Sequence, residues 1–232
     1  FSFLLFETAT RGAIIGLAGG IVTAALLGAF LSRDNPTVRR VAFVVVAVVL
    51  LIGGIFYTLR TTAYVREHPI WSRIVSISLE AGATRFTIWN MALEGVKERP
   101  MLGWGQSNFD YVFDAQYRPS LYGQEPWFDR VHNIVLDWLI AGGILGFLAY
   151  LAVWVAVFYA LMKRRDNKFS ITERVLLVGV LVGYGIHNLF VFDNLVSYFF
   201  FVTVLAYVHT RTAEEIPRVA LFGLCHHGVS GS

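Results

Sequence analysis

Residues 133–162 read NIVLDWLIAGGILGFLAYLAVWVAVFYALM, thirty positions with almost nothing polar among them. At 1.5 Å per residue, a helix of this length exceeds the ~30 Å of hydrocarbon in a bilayer. Four further blocks of the same kind lie at about 3–31, 41–58, 175–191 and 195–210. They explain a composition that is 56% hydrophobic and only 15% charged, where soluble domains carry about a quarter charged residues. Aromatic residues make up 15%, as expected where rings sit at the membrane–water interfaces. An unpaired backbone is too costly in lipid, so each block must be a helix or belong to a closed barrel. No ten-residue stretches of alternating polarity appear, so the barrel is set aside. The expected fold is an all-α integral membrane protein with about five transmembrane helices and one large structured extracytoplasmic loop.

Charge sets the topology. The turn between the first two blocks carries Arg33, Arg39 and Arg40. The turn between the third and fourth carries Lys163, Arg164, Arg165 and Lys168, followed by Arg174. The turn around Phe192-Asp193-Asn194 carries no basic residue. Short basic loops face the cytoplasm. The expected division is therefore 1–58, two spans joined by a basic cytoplasmic turn; 59–131, an extracytoplasmic loop; 132–210, three more spans; and 211–232, a cytoplasmic tail. The net charge of +3 lies mainly in those turns, so it reads as a topology signal and not as affinity for nucleic acid. The single cysteine, Cys225, excludes an internal disulfide. The chain starts at Phe1 without a readable signal segment, and earlier spans are expected to precede it. The last two blocks are short and closely joined, which predicts a tight helical hairpin.

The long loop has eight acidic and eight basic residues. Thr84 is a candidate N-cap for a helix with Phe86, Trp89, Leu93 and Val96 on one face, stopped by Arg99-Pro100. Gly103-Trp104-Gly105 reads as a turn. Ser107 would cap a short helix whose Phe109, Val112 and Phe113 dip into the interface.

Five residues are candidates for chemistry. His132 and Asn133 stand where the loop enters the third span. Were the helix to begin there, at 100° per residue Gly143 would lie roughly 20° from His132 and Gly146 roughly 40° to its other side. Small residues on that face would admit a neighbouring helix and leave His132 in a crevice. Imidazole suits a general base at neutral pH; an interfacial polar cap accounts for the same spacing and is the commoner role. Arg11 lies inside the outer end of the first span, where a charge faces a cavity or partner, or pairs with Glu7. Arg85 would stand in the first turn of the loop helix, where anions are favoured; exposed arginines are more often simply solvated. His187, with Asn188, ends the fourth span as a second polar cluster, and Asp193 and Asn194 there also fit a plain hairpin turn. No Walker loop, His-x-x-x-His pair or Cys-x-x-Cys motif appears, so neither metal nor cofactor is implied. Gly105-Gln106-Ser107 lacks the apolar strand that a nucleophile elbow needs.

The run His132-Asn133, nine residues, then Gly143-x-x-Gly146 resembles the signature of the bacterial O-antigen ligase family, which includes O-antigen polymerases and protein O-oligosaccharyltransferases. Thr8-Ala9-Thr10-Arg11-Gly12-Ala13 is similar to a family motif at the outer end of a span. Arg85-Phe86-x-x-Trp89-x-x-Ala92, with Pro100-x-x-Gly103-x-Gly105-x-x-x-Phe109, resembles its outer-loop pattern, and His187-Asn188-Leu189-Phe190-Val191-Phe192-Asp193 its penultimate-span motif. The resemblance covers roughly residues 5–208. Two departures stand out: Thr10 occupies a position where serine is common, and family members have ten or more spans. The resemblance implies a metal-independent glycosyltransferase in the bacterial inner membrane. It would pass a glycan from undecaprenyl diphosphate to a glycan, lipid or protein acceptor. It further implies that His132 activates the acceptor hydroxyl and that Arg11 and Arg85 bind the diphosphate, with Asn133 and His187 as further substrate contacts. Other classes predict other features. A transporter half would pair broken helices in an inverted repeat, an intramembrane serine protease would bring Ser107 within reach of His132, and a scaffold would tolerate the loss of His132.

Overall fold

The computed structural model describes residues 11–67, 79–122, 127–163 and 168–213. Every regular element among them is helical: α1 (Arg11–Leu31), α2 (Pro36–Leu59), α3 (Ala63–Glu67), α4 (Leu79–Glu98), α5 (Phe109–Ala115), a 3-10 turn (Pro119–Leu121), α6 (Ile134–Met162), α7 (Ile171–Asn188) and α8 (Leu195–Thr212). Three helices are long and apolar enough to cross a bilayer, over Gly12–Leu31, Pro36–Leu59 and Ile134–Met162. The chain is thus an all-α membrane protein, as the apolar blocks predict. The other two, α7 and α8, have 18 residues each. Glu7, Thr8 and Thr10 lie outside the described residues.

Local chemistry places the helix starts. Asn35 accepts hydrogen bonds from the Thr37 and Val38 amides at 3.1 and 3.2 Å, and Pro36 takes the first position of α2. Ser170 with Glu173, and Asn194 with Ser197, form reciprocal capping boxes on α7 and α8.

The most extensive helix pair is α1 on α7. Their backbones nearly touch: a Cβ on Gly16 would lie 2.6 Å from the Gly183 carbonyl oxygen, and one on Gly20 2.6 Å from that of Gly179. Small residues four apart on both helices allow this approach, which dispersion forces reward in lipid. By contrast α7 and α8 form a hairpin across the 189–194 turn whose helices meet through rings. Tyr184 of α7 stacks on Phe201 of α8 at 5.1 Å, and Trp154 of α6 stacks on both, at 5.9 and 5.3 Å. At one end of the bundle the α1–α2 turn and the start of α7 line a common cavity, and Lys168 reaches the Thr212 carbonyl. The basic turns therefore gather at the same end.

The long loop has its own core. Ile88, Met91 and Ala92 of α4 pack with Phe109, Val112 and Phe113 of α5, with Leu121, Phe128 and Val131, and with Ile140 of α6. Several expectations are corrected here. The loop helix starts at Leu79, not after a Thr84 cap. Its buried face is Ile88-Met91-Ala92-Gly95, while Phe86 and Leu93 are exposed. Ala92 and Gly95 on this face let α5 approach closely, since a Cβ on Gly95 would lie 2.4 Å from Val112; Trp89 and Val96 of the expected face flank the core. Ser107 is not the cap of α5: Asn108 holds that position. Phe109, Val112 and Phe113 are 1–2% exposed and belong to this core, not to a surface facing the interface. The helix stop at Glu98 and the glycine turn at 103–105 stand as predicted.

α6 is broken. Gly143 has φ 61° and ψ −161°, which separates Ile134–Gly142 from the run that continues to Met162. The loop after α4 fills the break. Trp104 and Gly105 amides donate to the Ile140 and Ala141 carbonyls at 2.7 and 3.0 Å, and the Ile144 amide donates to the Pro100 carbonyl at 2.8 Å. The loop backbone thus takes over hydrogen bonds that the helix gives up. A Cβ on Gly143 would lie 2.4 Å from the Met101 carbonyl, so only glycine permits the graft. The stretch from Ile144 to Met162 still spans about 28 Å.

Candidate functional site

His132 does not belong to α6. Its φ is 56°, a left-handed conformation that is costly for a residue with a side chain and tends to cluster at functional sites. The helix begins after it, because the Asn133 side chain accepts from the Val135 and Leu136 amides at 3.0 and 3.2 Å and so acts as N-cap. The same side chain donates to the Leu189 carbonyl at 3.1 Å. One asparagine therefore starts α6 and ties that start to the turn after α7.

The helical-face argument for His132, Gly143 and Gly146 is corrected by this geometry. His132 precedes the helix and Gly143 breaks it, so constant angular spacing does not apply. What approaches Gly143 is the backbone of Met101 and Leu102, not a neighbouring helix.

The His132 ring is instead held by rings. Phe128 meets it edge-to-face at 5.8 Å and Phe192 at 5.1 Å. Its Nδ1 lies 3.1 Å from the Arg130 carbonyl oxygen. A carbonyl only accepts, so Nδ1 carries the proton and the lone pair of the neutral ring is on Nε2. Arg130 is itself fixed: its guanidinium is 2.8 Å from the Asp137 carboxylate and lies over Phe192 at 5.3 Å. Both side chains of that ion pair are largely buried, where a salt link holds geometry more firmly than at a surface.

The 189–194 turn carries a second polar cluster. Asp193, 4% exposed, accepts through one oxygen from the Tyr184 hydroxyl, from Asn188 Nδ2 at 2.8 Å and from the Ser197 hydroxyl at 3.1 Å. Its other oxygen has no partner. His187 lies beside Gly12, whose added Cβ would be 3.4 Å from His187 Nδ1, and that buried nitrogen is also unpartnered. Asp193 and Asn194 thus do hold the turn, as the hairpin reading expected.

The structure brings His132, Asn133 and the turn after His187 to one end of the bundle. The backbone of Arg11 starts α1 at that end, next to Gly12; its side chain lies outside the described residues. Arg85 is in the second turn of α4, not the first, and is exposed. It touches neither His132 nor Asn133. Ser107 lines a small crevice with Arg130 and Asp137, but the contacts of the His132 ring are Phe128, Phe192 and Arg130. The arrangement does not pair a serine with this imidazole. No second broken helix accompanies α6 among the described residues, and no cluster of metal-ligating side chains is found among them.

Sequence reasoning missed Arg130 and Asp137, and gave Phe192 a place in a motif but no contact with His132. Asp137 had a signal: it is the one ionisable carboxylate in the 133–162 block, and such residues deserve a partner by default.

A family model described as O-antigen ligase matches residues 1–151. That stretch takes in His132, Gly143 and Gly146. An O-antigen ligase of Pseudomonas aeruginosa is 28% identical over 192 residues, covering 81% of this chain and 39% of that protein. An uncharacterized protein of Haemophilus influenzae is 22% identical over 130 residues, covering 53% of this chain and 33% of its own length. The chain spans about two fifths of the first relative and a third of the second. No solved structure matches. With almost two thirds of its length matched by that model, the chain belongs to the O-antigen ligase family.

Proposed function

We propose that this chain carries the catalytic end of an enzyme that transfers a glycan from undecaprenyl diphosphate to an acceptor hydroxyl, as an O-antigen ligase does. The observation that carries the reading is the held imidazole of His132, whose Nδ1 lies 3.1 Å from the Arg130 carbonyl oxygen; with the proton on Nδ1, the lone pair of Nε2 is the one left to accept. Nε2 takes the acceptor proton as the acceptor oxygen attacks the anomeric carbon. The bond from that carbon to the diphosphate oxygen breaks, and undecaprenyl diphosphate leaves with the negative charge. Fixed guanidinium groups stabilise such a charge best where water is scarce. Arg11, at the same end of α1, and Arg85, on the exposed side of α4, are assigned to the diphosphate. Asn133 and His187 are assigned to substrate contact, and holding donor and acceptor in line supplies much of the remaining rate.

The gathering of the basic turns at one end supports a membrane placement, offered as part of the same proposal. The clustered basic turns face the cytoplasm, which puts 59–131 and His132 on the outer face of the plasma membrane and the C-terminus inside. In this placement Ile134–Gly142 stands above the bilayer with the loop core, and Ile144–Met162 crosses it.

The test is glycan transfer in membranes carrying the full-length gene product, wild type against His132→Ala at matched expression and insertion. We expect a loss of about 100-fold or more, the scale of general base catalysis. Unchanged transfer would remove His132 from the chemistry and leave the scaffold reading.

A further inference from the structure

The basic end of the bundle holds a cavity of about 560 Å³ between the α1–α2 turn and the start of α7, lined by Phe30, Arg33, Asp34, Phe169, Ile171 and Arg174. Nothing in the transfer reading uses it. Arg174 is 7% exposed and its Nε has no hydrogen-bond partner. Among the described residues its side chain makes one hydrogen bond, a long one, 3.4 Å from Nη2 to the Lys163 carbonyl. No carboxylate among the described residues pairs with it. The neighbouring Glu173 is committed elsewhere, to the Ser170 amide, the Tyr207 hydroxyl and Arg211. Asp34 lines the same cavity but is exposed and forms no ion pair with either arginine. Arg33 is exposed and rests over the Phe30 ring at 4.3 Å.

A buried guanidinium without a counter-charge is costly, and its donors form a planar fork that suits phosphate oxygens. Two arginines against one carboxylate leave the cavity net positive. Its rim is apolar: Phe30 and Ile171 are about half exposed. The apolar faces of α1 and α7 continue from it, as an acyl chain running along the helices would require. Basic pockets between membrane helices take phosphate-bearing lipid headgroups.

We propose that this cavity binds the phosphate of an anionic phospholipid, held by Arg174 and Arg33 with the acyl chains along α1 and α7. The proposal is independent of the transfer chemistry at the opposite end.

The experiment is native mass spectrometry of the full-length protein in detergent, titrated with phosphatidylglycerol, phosphatidylcholine or inorganic phosphate. We expect phosphatidylglycerol to bind in preference to phosphatidylcholine. Arg33→Gln should weaken that binding about fivefold, which corresponds to about 1 kcal/mol per basic residue near an anionic lipid. Arg174→Gln should weaken it more, and Asp34→Asn should strengthen it. Arg33 and Asp34 are exposed, so their variants keep the test valid if Arg174→Gln fails to fold. Equal binding of the two lipids, or no effect of Arg33→Gln, would overturn the proposal. Displacement of phosphatidylglycerol by millimolar inorganic phosphate would identify free phosphate as the ligand and overturn the lipid assignment.

Discussion

Two regions of this molecule depend on glycine for opposite reasons. Where α1 meets α7, glycines remove side-chain volume from regular helices so that two backbones can approach; at Gly16 the obstacle to any Cβ is the Gly183 carbonyl. Where the loop meets α6, glycine is needed for its conformation. Gly143 adopts φ 61° so that the helix opens, and the Pro100–Gly105 backbone hydrogen-bonds into the gap. The first contact is steric and can relax by sliding one helix. The second is built from directed hydrogen bonds and a strained residue, and it has one geometry. The candidate site stands at the second region. The loop core reaches α6 through Ile140, and the graft fixes the half-helix that follows His132 and carries Asp137 in its first turn.

Variants can break this contrast. The largest effect is expected from Gly143→Val. Backbone strain and overpacking against Met101 should together cost about 4 kcal/mol. Thermal unfolding in detergent should show loss of the loop core, and glycan transfer should disappear with it. Wild-type stability in this variant would mean that the helix break is not needed.

Gly16→Val should cost less, about 2 kcal/mol, since α1 can shift along α7 to relieve the overlap. Transfer should survive in proportion to the folded fraction. If transfer instead falls as far as for Gly143→Val, the two regions are coupled more tightly than their contacts show.

The smallest effect on stability and the most specific on activity is expected from Asp137→Asn. It keeps the shape beside Arg130 and removes the charge that fixes it. We expect transfer to drop about tenfold through poorer orientation of His132, with the unfolding midpoint shifted only slightly. A fall in kcat at unchanged KM would mark a positioning residue. Equal loss of stability and rate would mark a merely structural ion pair.

The helices were legible because their causes are local. Apolar runs long enough for a bilayer, and Arg99-Pro100 at the end of α4, can each be read one segment at a time. The site was legible only in part. His132 and Asn133 stood out as polar residues at the mouth of an apolar block. His132 was placed on one helical face with Gly143 and Gly146, because a glycine in a sequence does not declare its φ. Gly143 and Gly146 look alike in the chain, yet one breaks the helix and the other lies within it; the difference lies in the loop some forty residues earlier. Likewise the packing face of α4 could not be found by ranking side-chain size, since Gly95 is buried for what it leaves free.

Composition and block length by themselves determined that the chain is helical and lives in a membrane, because water and lipid act on every segment independently. Tertiary structure alone decided that the loop after α4 enters α6, that Asp137 pairs with Arg130 while the Arg130 carbonyl meets His132, and that Asn133 joins α6 to the turn after α7. Those depend on hydrogen bonds and ring contacts between segments distant in sequence, whose pairing no local pattern encodes.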